Sequence, residues 1–331
     1  MSWNERAVVV TGAGGFIGSH LAEALVSEGA RVRALVHYNA QGLIGSLRYV
    51  DRHSLDAMEI VAGDVRDPYA MRSLVRGAHT VFHLAALIGI PYSYVAPASY
   101  VATNIGGTLN LLEATRAEGV ERLVVTSTSE TYGTAQYTPI DEAHPAVGQS
   151  PYAATKVGAD QLAGSYHRSF DTPVCVVRPF NTFGPRQSER AIVPAIVVQA
   201  LRSAEPLRLG SLEPRRDLTY VTDTVRGFLT LAERPEAVGR PVNLGTGTSH
   251  SVRELVDVVA RVLGCELRVV QDPARVRPER SEVMELRADV RLARSLGWMP
   301  EVSLESGVRQ VVDFLRRTPR DPGNTSTEYR V

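Results

Sequence analysis

Tyr152 and Lys156 have the residue types and the spacing for proton transfer. Ser150 is a good helix N-cap and Pro151 suits the first helical position, so the sequence predicts a helix over Pro151–Phe170. Residues four apart lie on one face of such a helix. Tyrosine is a poor base at neutral pH because its ordinary pKa is about 10, but a nearby ammonium favours the phenolate. We therefore expect Tyr152 to act as a general base toward a hydroxyl group, with Lys156 supporting it.

The amino-acid composition also indicates a specific role for Lys156. The chain has 36 basic residues, and Lys156 is the only lysine among them. A compact ammonium and a planar guanidinium are not interchangeable where geometry matters, so a position that keeps lysine against this bias has a reason to do so. Chance survival is the alternative, and the tyrosine one helical turn away favours the functional interpretation.

A glycine-rich loop near the N-terminus has the pattern GxxGxxG. It follows a predicted strand, Ala7–Thr11, and opens a predicted helix, Phe16–Ser27. The glycines permit a tight turn and close approach to a pyrophosphate, and the helix N-terminus supplies N–H donors. A purely structural glycine turn is the alternative. We predict that this loop binds a dinucleotide through Gly12, Gly15, Phe16, Ile17 and Gly18.

The adenosine end of that site is less defined. An acid at the end of the second strand normally binds the ribose hydroxyls. The second predicted strand, Arg31–Val36, is followed by His37 and has no such acid. Asp64 and Val65, after the third predicted strand, could reach the adenine, although Asp64 also suits a turn. The choice between NAD and NADP therefore stays open.

Strand and helix patterns alternate through the first half of the chain. This order predicts an α/β fold, with a parallel sheet and helices on both of its faces. The predicted strands include Thr80–Leu84, Arg122–Thr126 and Val174–Val177, and the predicted helices include Pro68–Val75, Ala98–Ala117 and Pro151–Phe170. After Pro179 the elements become short and are separated by Pro and Gly. We predict a nucleotide-binding domain over 1–178, a smaller mixed domain over 179–317 with some chain crossing between the two, and a mobile tail over 318–331.

The composition argues against several classes of function. Basic and acidic residues both number 36 in a chain of 331, which disfavours a nucleic-acid-binding or polybasic membrane surface. No apolar run approaches the roughly 18 residues of a membrane span, and Met1–Arg6 lacks the layout of a signal peptide. Cys175 and Cys265 have no CxxC spacing, and the histidines have no HxH or HExxH spacing. We expect a cytoplasmic protein without a bound metal.

With these motifs in place, the chain resembles the extended short-chain dehydrogenase/reductase family from about Arg6 to Phe314. The cofactor half matches through the glycine motif, His83-Leu84-Ala85-Ala86, Asn104 and Tyr152xxxLys156. The second half matches through Arg178-Pro179-Phe180-Asn181, Arg216-Asp217 and Arg277-Pro278. The resemblance implies a Rossmann-like, doubly wound sheet, tightly held NAD or NADP, and a nucleotide-diphosphate sugar as substrate.

The resemblance also implies roles for individual residues. Leu84, Ala85, Ala86 and Asn104 would contact the cofactor, together with His37 and Asp64-Val65. Residues in five positions would contact the substrate: Ser93, Asn181, Val193, Arg216 and Arg277. The two arginines would hold the diphosphate, because guanidinium suits bidentate binding, although a surface ion pair is the alternative for each.

The end of the fifth predicted strand indicates the reaction. Thr128-Ser129-Glu130 resembles the run found in nucleotide-sugar 4,6-dehydratases, whereas simple 4-epimerases have no acid at the position of Glu130. Oxidation at C4 makes the C5 proton acidic, and a carboxylate can then remove it. Many 4,6-dehydratases have an aspartic acid at the position of Ser129. Since serine is too weak an acid to protonate the leaving hydroxyl, Glu130 would deliver the proton itself.

Longer stretches are closest to one subgroup. They resemble the 4,6-dehydratases that act on GDP-linked N-acetylglucosamine or mannose, and they are His37–Asn39, Ile90–Tyr94, Gly148–Tyr152 and Pro179–Gln187. The alternatives are a UDP-glucuronate decarboxylase, which also has a Thr-Ser-Glu run, a 4-epimerase, a 5,6-dehydratase, and a cofactor-sensing regulator without catalysis. Family resemblance further implies a homodimer through a four-helix bundle made by Ala98–Ala117 and Pro151–Phe170.

Overall fold

A computed structural model describes residues 3–202, 206–275 and 283–318. Its central sheet has seven strands, and every adjacent pair is parallel. The strands are β1 Ala7–Thr11, β2 Arg31–His37, β3 Glu59–Gly63, β4 Thr80–His83, β5 Arg122–Thr126, β6 Val174–Pro179 and β10 Pro241–Leu244. Their order is β10–β6–β5–β4–β1–β2–β3, so the winding reverses between β1 and β4. Ligands of doubly wound sheets bind at this reversal, beyond the carboxyl ends of the strands.

Helices cover both faces of the sheet, and each face forms its own apolar core. On one face lie α1 Phe16–Ser27 and α9 Val221–Glu233; on the other lie α3 Pro68–Val75, α6 Gly107–Glu118 and α7 Pro151–Phe170. Shorter helices occupy the connections: α2 Arg52–Asp56, α4 Ile90–Val95 and α5 Pro97–Tyr100. The predicted α/β, Rossmann-like doubly wound architecture is confirmed.

The second half of the chain builds a smaller α/β unit with its own core. Its strands are β7 Asn181–Phe183, β8 Leu207–Leu209, β9 Arg215–Tyr220, β11 Ser249–Ser251, β12 Val269–Gln271 and β13 Glu285–Leu286. β9 pairs with β7, β11 and β13, while β8 and β12 form a separate parallel pair. The remaining helices are α8 Ile192–Leu201, α10 Val252–Leu263, α11 Arg291–Ser295 and α12 Leu304–Arg317.

The chain returns to the first sheet after residue 179. β10 pairs in parallel with β6 at the sheet edge, and α9 packs against α1. Phe228 on α9 lies near Phe82 on β4, with ring centroids 6.5 Å apart. The sequence prediction allowed for crossing of this kind but did not identify β10 as a strand. The core of the cofactor half therefore depends on residues far along the chain.

One predicted helix has a different internal structure. We expected a single helix over Ala98–Ala117, whereas the structure has α5, a π-helical segment Val101–Gly106 and then α6. Segments of π-helix occur frequently at functional sites. Here the segment includes Asn104, which is buried and hydrogen-bonded to a neighbouring loop. The π geometry thus coincides with a residue that the family motif includes.

Part of the predicted tail falls outside the structure. Residues 319–331 lie beyond the described residues, and Thr318 follows the end of α12. Across the ranges that are described, no helix combines the length and the apolar character needed to cross a membrane.

Replacing Phe228 by alanine tests the dependence of the first sheet on α9. Phe228 is fully buried against Phe82, so Phe228→Ala should lower the free energy of unfolding by about 3–5 kcal/mol. Urea unfolding followed by circular dichroism measures this change. Tyr69→Ala is the control, because the Tyr69 side chain is 86% exposed and its loss should cost less than about 0.5 kcal/mol. Equal effects of the two substitutions would contradict the packing described here.

Candidate active site

A cavity of about 1300 Å³ lies where the winding of the central sheet reverses. Single ligand pockets are commonly about 300–1,000 Å³, so this cavity has room for two ligands side by side. Residues from both halves of the chain form its wall. The wall includes these sequence-predicted residues: Gly12, Gly15, Phe16, Ile17, Gly18, His37, Asp64, Val65, Leu84, Ala85, Ala86, Thr128, Glu130, Tyr152, Asn181, Val193 and Arg216.

The glycine loop between β1 and α1 has no space for side chains at two positions. Gly12 has φ +72°, and a Cβ there would lie 2.7 Å from the backbone nitrogen of Ala85. A Cβ on Gly18 would lie 2.2 Å from the Gly12 carbonyl oxygen. No side chain caps the N-terminus of α1, whose N-cap is Gly15, so its first N–H groups face the cavity side. This cradle fits the pyrophosphate of a dinucleotide.

At the predicted adenosine end of the cavity, Asp64, which follows β3, is already paired with Arg66. Its carboxylate accepts hydrogen bonds from the Arg66 backbone and side chain, and these bonds lower the pKa of Asp64. His37 is exposed, with its Nε2 3.6 Å from an Asp64 oxygen, and Val65 is buried. All three residues line the cavity, so this end can surround an adenosine without a dedicated ribose-binding acid on β2.

Asn104 acts behind the cavity wall rather than in it. Its amide accepts a hydrogen bond from Leu87 N at 2.9 Å and donates to the Leu87 carbonyl and to Thr155 Oγ1, each at 3.0 Å. These bonds fix the loop after β4 against α7. Leu84, Ala85 and Ala86 in that loop do line the cavity. Asn104 therefore shapes the cofactor side of the cavity from outside it.

Tyr152 lies in the cavity wall with Thr128 and Glu130. Its side chain is almost buried, at 7% exposure, and it shares a hydrogen bond with the Thr128 hydroxyl. Burial raises the pKa of Tyr152 above its usual range, and the charge of Glu130 raises it further, whereas the Thr128 hydrogen bond lowers it. Because burial disfavours the charged phenolate, a positive charge must lie close to Tyr152 to stabilise it.

Lys156 is buried one turn after Tyr152 on α7. Its Nζ donates a hydrogen bond of 2.6 Å to the Thr126 carbonyl at the end of β5. Burial lowers the pKa of Lys156 to about 8, and Asp160 opposes that shift. Lys156 does not line the cavity, so its ammonium acts on the site from just behind the wall.

Glu130 is positioned by a short turn that follows β5. Thr128 caps this 3₁₀ turn, Ser129–Tyr132, by accepting a hydrogen bond from the Glu130 backbone N–H. Within the described ranges, no side chain forms a hydrogen bond or salt bridge with the Glu130 carboxylate. A helix-capping or salt-bridged carboxylate would be the structural explanation for an acid at this position, and the contacts of Glu130 do not support it. Ser129 is buried and is not part of the cavity wall.

Three buried oxygens in the cavity wall have no hydrogen-bond partner among the described residues. They are Thr126 Oγ1, Asn181 Oδ1 and Gln187 Oε1. Buried polar atoms are normally hydrogen-bonded, so oxygens of this kind in a cavity indicate a polar ligand. Asn181 was predicted from the sequence to bind substrate, and Val193 lies buried in the same wall.

The other predicted substrate residues differ in position. Arg216 lines the cavity, and its Nη1 donates to the carbonyls of Arg215 and Val283 at 3.0 and 2.7 Å. Ser93 is fully buried within α4 and donates to the Ile90 carbonyl at 2.6 Å, so it does not line the cavity. Arg277 lies outside the described residues.

Several cavity residues were not predicted from the sequence. They include Asn39, Tyr92, Gln187, Arg190, His250 and Arg275. Asn39, Tyr92 and Gln187 fall within the sequence stretches that resemble one subgroup, and this resemblance is the signal that could have identified them. Arg275 lies two residues before the Arg277-Pro278 motif. Arg190 and His250 have no flanking motif, and only the fold brings them to the cavity.

Comparisons with known proteins agree with this geometry. A family model described as GDP-mannose 4,6 dehydratase matches residues 9–311. The chain belongs to that family. As a GDP-mannose 4,6-dehydratase family member it has relatives with different reactions. It is 34% identical to a UDP-glucose 4-epimerase of Mycolicibacterium smegmatis, covering 93% of this chain and 98% of the relative. It is 31% identical to a dTDP-glucose 4,6-dehydratase of Actinoplanes sp., covering 93% and 97%.

Among solved structures, this family member is similar to MoeE5 in complex with UDP-glucose and NAD. The two chains share 32% identity with a TM-score of 0.81, and the match covers 94% of this chain and 99% of MoeE5. The chain is thus an enzyme of the NAD-dependent nucleotide-sugar dehydratase and epimerase family.

Replacing the only lysine by arginine tests its role. Lys156→Arg keeps the charge but introduces a bulkier, planar group where Nζ is buried against the Thr126 carbonyl. The expected loss in kcat is roughly 100-fold or more, which is the usual size of general acid–base effects. Steady-state kinetics measure it, with Arg52→Lys on an exposed helix as the matched control. Near-normal turnover of Lys156→Arg would mean that the lysine has no special role.

Proposed function

We propose that this enzyme is a nucleotide-diphosphate-sugar 4,6-dehydratase that forms a 4-keto-6-deoxy sugar. The observation that carries the proposal is the Glu130 carboxylate, which lies in the cavity wall with Thr128 and Tyr152 and has no partner among the described residues. A 4-epimerase needs a base for the C4 hydroxyl but no carboxylate at C5. A dehydratase needs both groups in one site.

The first half of the reaction uses Tyr152, Thr128 and Lys156. Bound NAD supplies the acceptor for the hydride that leaves C4 and the donor for the hydride that returns to C6. Tyr152 removes the proton of the C4 hydroxyl, and the Thr128 hydroxyl stabilises the phenolate through the hydrogen bond that they share. Lys156 adds a positive charge behind Tyr152.

The second half uses Glu130. A ketone at C4 makes the C5 proton acidic, and the Glu130 carboxylate takes that proton. The electron pair left at C5 forms a double bond to C6 as the C6 hydroxyl departs, and Glu130 returns its proton to that oxygen so that water leaves. When the hydride returns to C6, C5 takes up a proton, and the proton that Tyr152 removed from the C4 hydroxyl balances this uptake. Ser129 is buried away from the cavity and is too weak an acid, so one carboxyl group has both roles.

The substrate half of the cavity suits a hexose linked to a nucleoside diphosphate. We propose that Asn181 binds the sugar or its adjoining phosphate, since its Oδ1 is buried and unpartnered in the wall. Arg216 and Arg277 are proposed to hold the diphosphate. The sequence stretches that resemble one subgroup support a GDP-linked N-acetylglucosamine or mannose as the substrate.

A panel of GDP-, UDP- and dTDP-linked hexoses, analysed by product mass, tests the reaction. We expect the loss of one water from a single nucleotide class. Loss of carbon dioxide from a UDP-glucuronate would instead identify a decarboxylase, in which the carboxylate leaves from C5. An unchanged mass with inverted stereochemistry at C4 would identify the epimerase that the relative from M. smegmatis represents.

Two variants separate the two halves of the reaction. Tyr152→Phe should prevent C4 oxidation, so that no reduced nicotinamide absorbance appears on mixing with substrate. Glu130→Gln should permit oxidation and accumulate that absorbance, with dehydration slowed by roughly 100-fold or more. Glu121→Gln, with a largely exposed side chain, is the matched control.

In the wild type, deuterium placed at C4 should appear at C6, because one cofactor carries the hydride both ways. Dehydration by Glu130→Gln at the wild-type rate would refute the role given to Glu130. Dehydration with the label retained at C4 would favour a 5,6-dehydratase.

We also propose a homodimer through α6 and α7. Apolar side chains on and beside these helices are about half exposed in the single chain, including Val101 and Phe170. Pairing of the two helices with their counterparts would cover them and brace the helix that carries Tyr152. Light scattering at micromolar concentration should give twice the chain mass. A fully active monomer would contradict this assembly.

A further inference from the structure

Asp160 is a buried carboxylate that the reaction above does not use. It lies on α7 one turn after Lys156, and its side chain is 5% exposed. Its Oδ2 accepts two hydrogen bonds, from Ser127 Oγ at 2.8 Å and from Arg178 Nε at 3.0 Å, and Arg178 Nη2 lies 2.9 Å from the same oxygen in a salt bridge. Its Oδ1 is buried and accepts no hydrogen bond from the described residues.

The partners of Asp160 belong to the elements that carry the reaction. Ser127 immediately precedes Thr128 at the end of β5, and Arg178 is on the adjacent strand β6. Arg178 also donates from Nη1 to the Tyr132 hydroxyl at 2.9 Å, and Tyr132 ends the turn that carries Glu130. The Tyr132 hydroxyl donates onward to Asn243 on β10 at 2.7 Å. One carboxylate thus joins the helix of Tyr152 to the turn of Glu130.

Two buried cations, Arg178 and Lys156, share the Asp160 carboxylate. Arg178 stays protonated at every relevant pH, so Asp160 and Arg178 form a buried ion pair. Lys156 adds a second buried cation near the same carboxylate, and its own hydrogen bond goes to a neutral carbonyl. Asp160 is therefore the anion, among the described residues, that offsets the burial of the ammonium.

We propose that Asp160 is a positioning residue that acts through Lys156: its carboxylate, fixed by Ser127 and Arg178, holds the ammonium charged beside Tyr152. The catalytic consequence rests on the proposed role of Tyr152 as the base. The charge relation between Asp160 and Lys156 does not depend on which reaction follows C4 oxidation.

The other titratable groups around this site have defined effects. His83 on β4 interacts with Lys156, but burial lowers the pKa of His83 to about 3, so it is neutral at working pH. Tyr152 faces Glu130, Tyr100 and Asp160, and the charge of each raises its pKa. Loss of the negative charge at residue 160 should therefore lower the pKa of both Lys156 and Tyr152. Both limbs of a bell-shaped pH profile should move to lower pH.

The single lysine makes a direct measurement possible. Protein labelled with ¹³C at the lysine ε-carbon has one lysine side chain to observe, and its NMR titration reports Lys156 alone. In Asp160→Asn the titration midpoint should fall by about one pH unit, since a buried carboxylate a helical turn away no longer favours the ammonium. Asp223→Asn is the matched control, because Asp223 is also a buried, arginine-paired aspartate on a helix, and the lysine midpoint should not change.

Arg178→Gln provides a second, opposite test should Asp160→Asn fail to fold. Removing the guanidinium leaves the Asp160 charge to act on Lys156 alone, so the lysine midpoint should rise. If Asp160 had a purely structural role, the Lys156 titration midpoint would be unchanged in both Asp160→Asn and Arg178→Gln, or would move in the same direction in both variants. Either of those results would overturn the proposal.

Kinetics of C4 oxidation complete the test. With the hexose that the wild type converts in the panel, Asp160→Asn should leave KM nearly unchanged and shift the pH profile of kcat downward by about one unit, so that kcat falls by up to about tenfold on the alkaline limb and does not fall on the acid limb. A lower kcat with an unmoved profile would overturn the positioning role. Product mass is read separately, so epimerisation or decarboxylation by the wild type would refute the 4,6-dehydratase assignment and leave the lysine titration to decide this proposal.

Discussion

The burial of one ammonium group is the constraint on which much of this active site depends. Lys156 is almost inaccessible to solvent, and its Nζ binds the carbonyl at the end of β5. Moving a charge out of water is costly unless hydrogen bonds and opposite charges offset it. The carbonyl comes from β5, an interior strand of the sheet, and the opposite charge comes from Asp160 on the same helix as Lys156. The strand, the helix and the neighbouring β6 must therefore keep their relative positions for the lysine to stay charged.

The two halves of the chain hold each other in place at the cavity. Arg186, in the loop after β7, donates to Glu23 on α1 at 2.7 Å and has a left-handed backbone, φ 68°. Burial lowers the pKa of His20 to about 4, and this neutral imidazole donates from Nε2 to the Pro185 carbonyl at 3.0 Å. The loop next to Gln187 is thus tied to the helix that begins at the glycine cradle. Strained backbone of this kind is kept where the surroundings over-determine it, as at ligand-binding loops.

Local signals in the sequence were sufficient for most elements of the first sheet. The bounds predicted for α1, α3 and α7 agree with the structure, because caps are encoded locally: Asp67 and Ser150 accept hydrogen bonds from the first turns of α3 and α7. β10 has four residues and no flanking pattern, and only its pairing with β6 makes it a strand. Likewise, the sequence shows that Tyr152, Lys156 and Asp160 are spaced four residues apart on one helix face. The role of Asp160 could not be predicted from this spacing, because its partners Ser127 and Arg178 are brought to it only by the tertiary fold.

The burial of the only lysine also determines how this protein reacts with amine-reactive reagents. The single ε-amino group lies behind the cavity wall. On the surface of the described residues, the permanently charged cationic side chains are therefore all arginines. Reagents that acylate or cross-link amines have no exposed lysine to react with. Attachment through the α-amino group would therefore give a uniformly oriented protein whose cavity is untouched. Any slow acylation of the remaining amine would report the opening of the interior around α7.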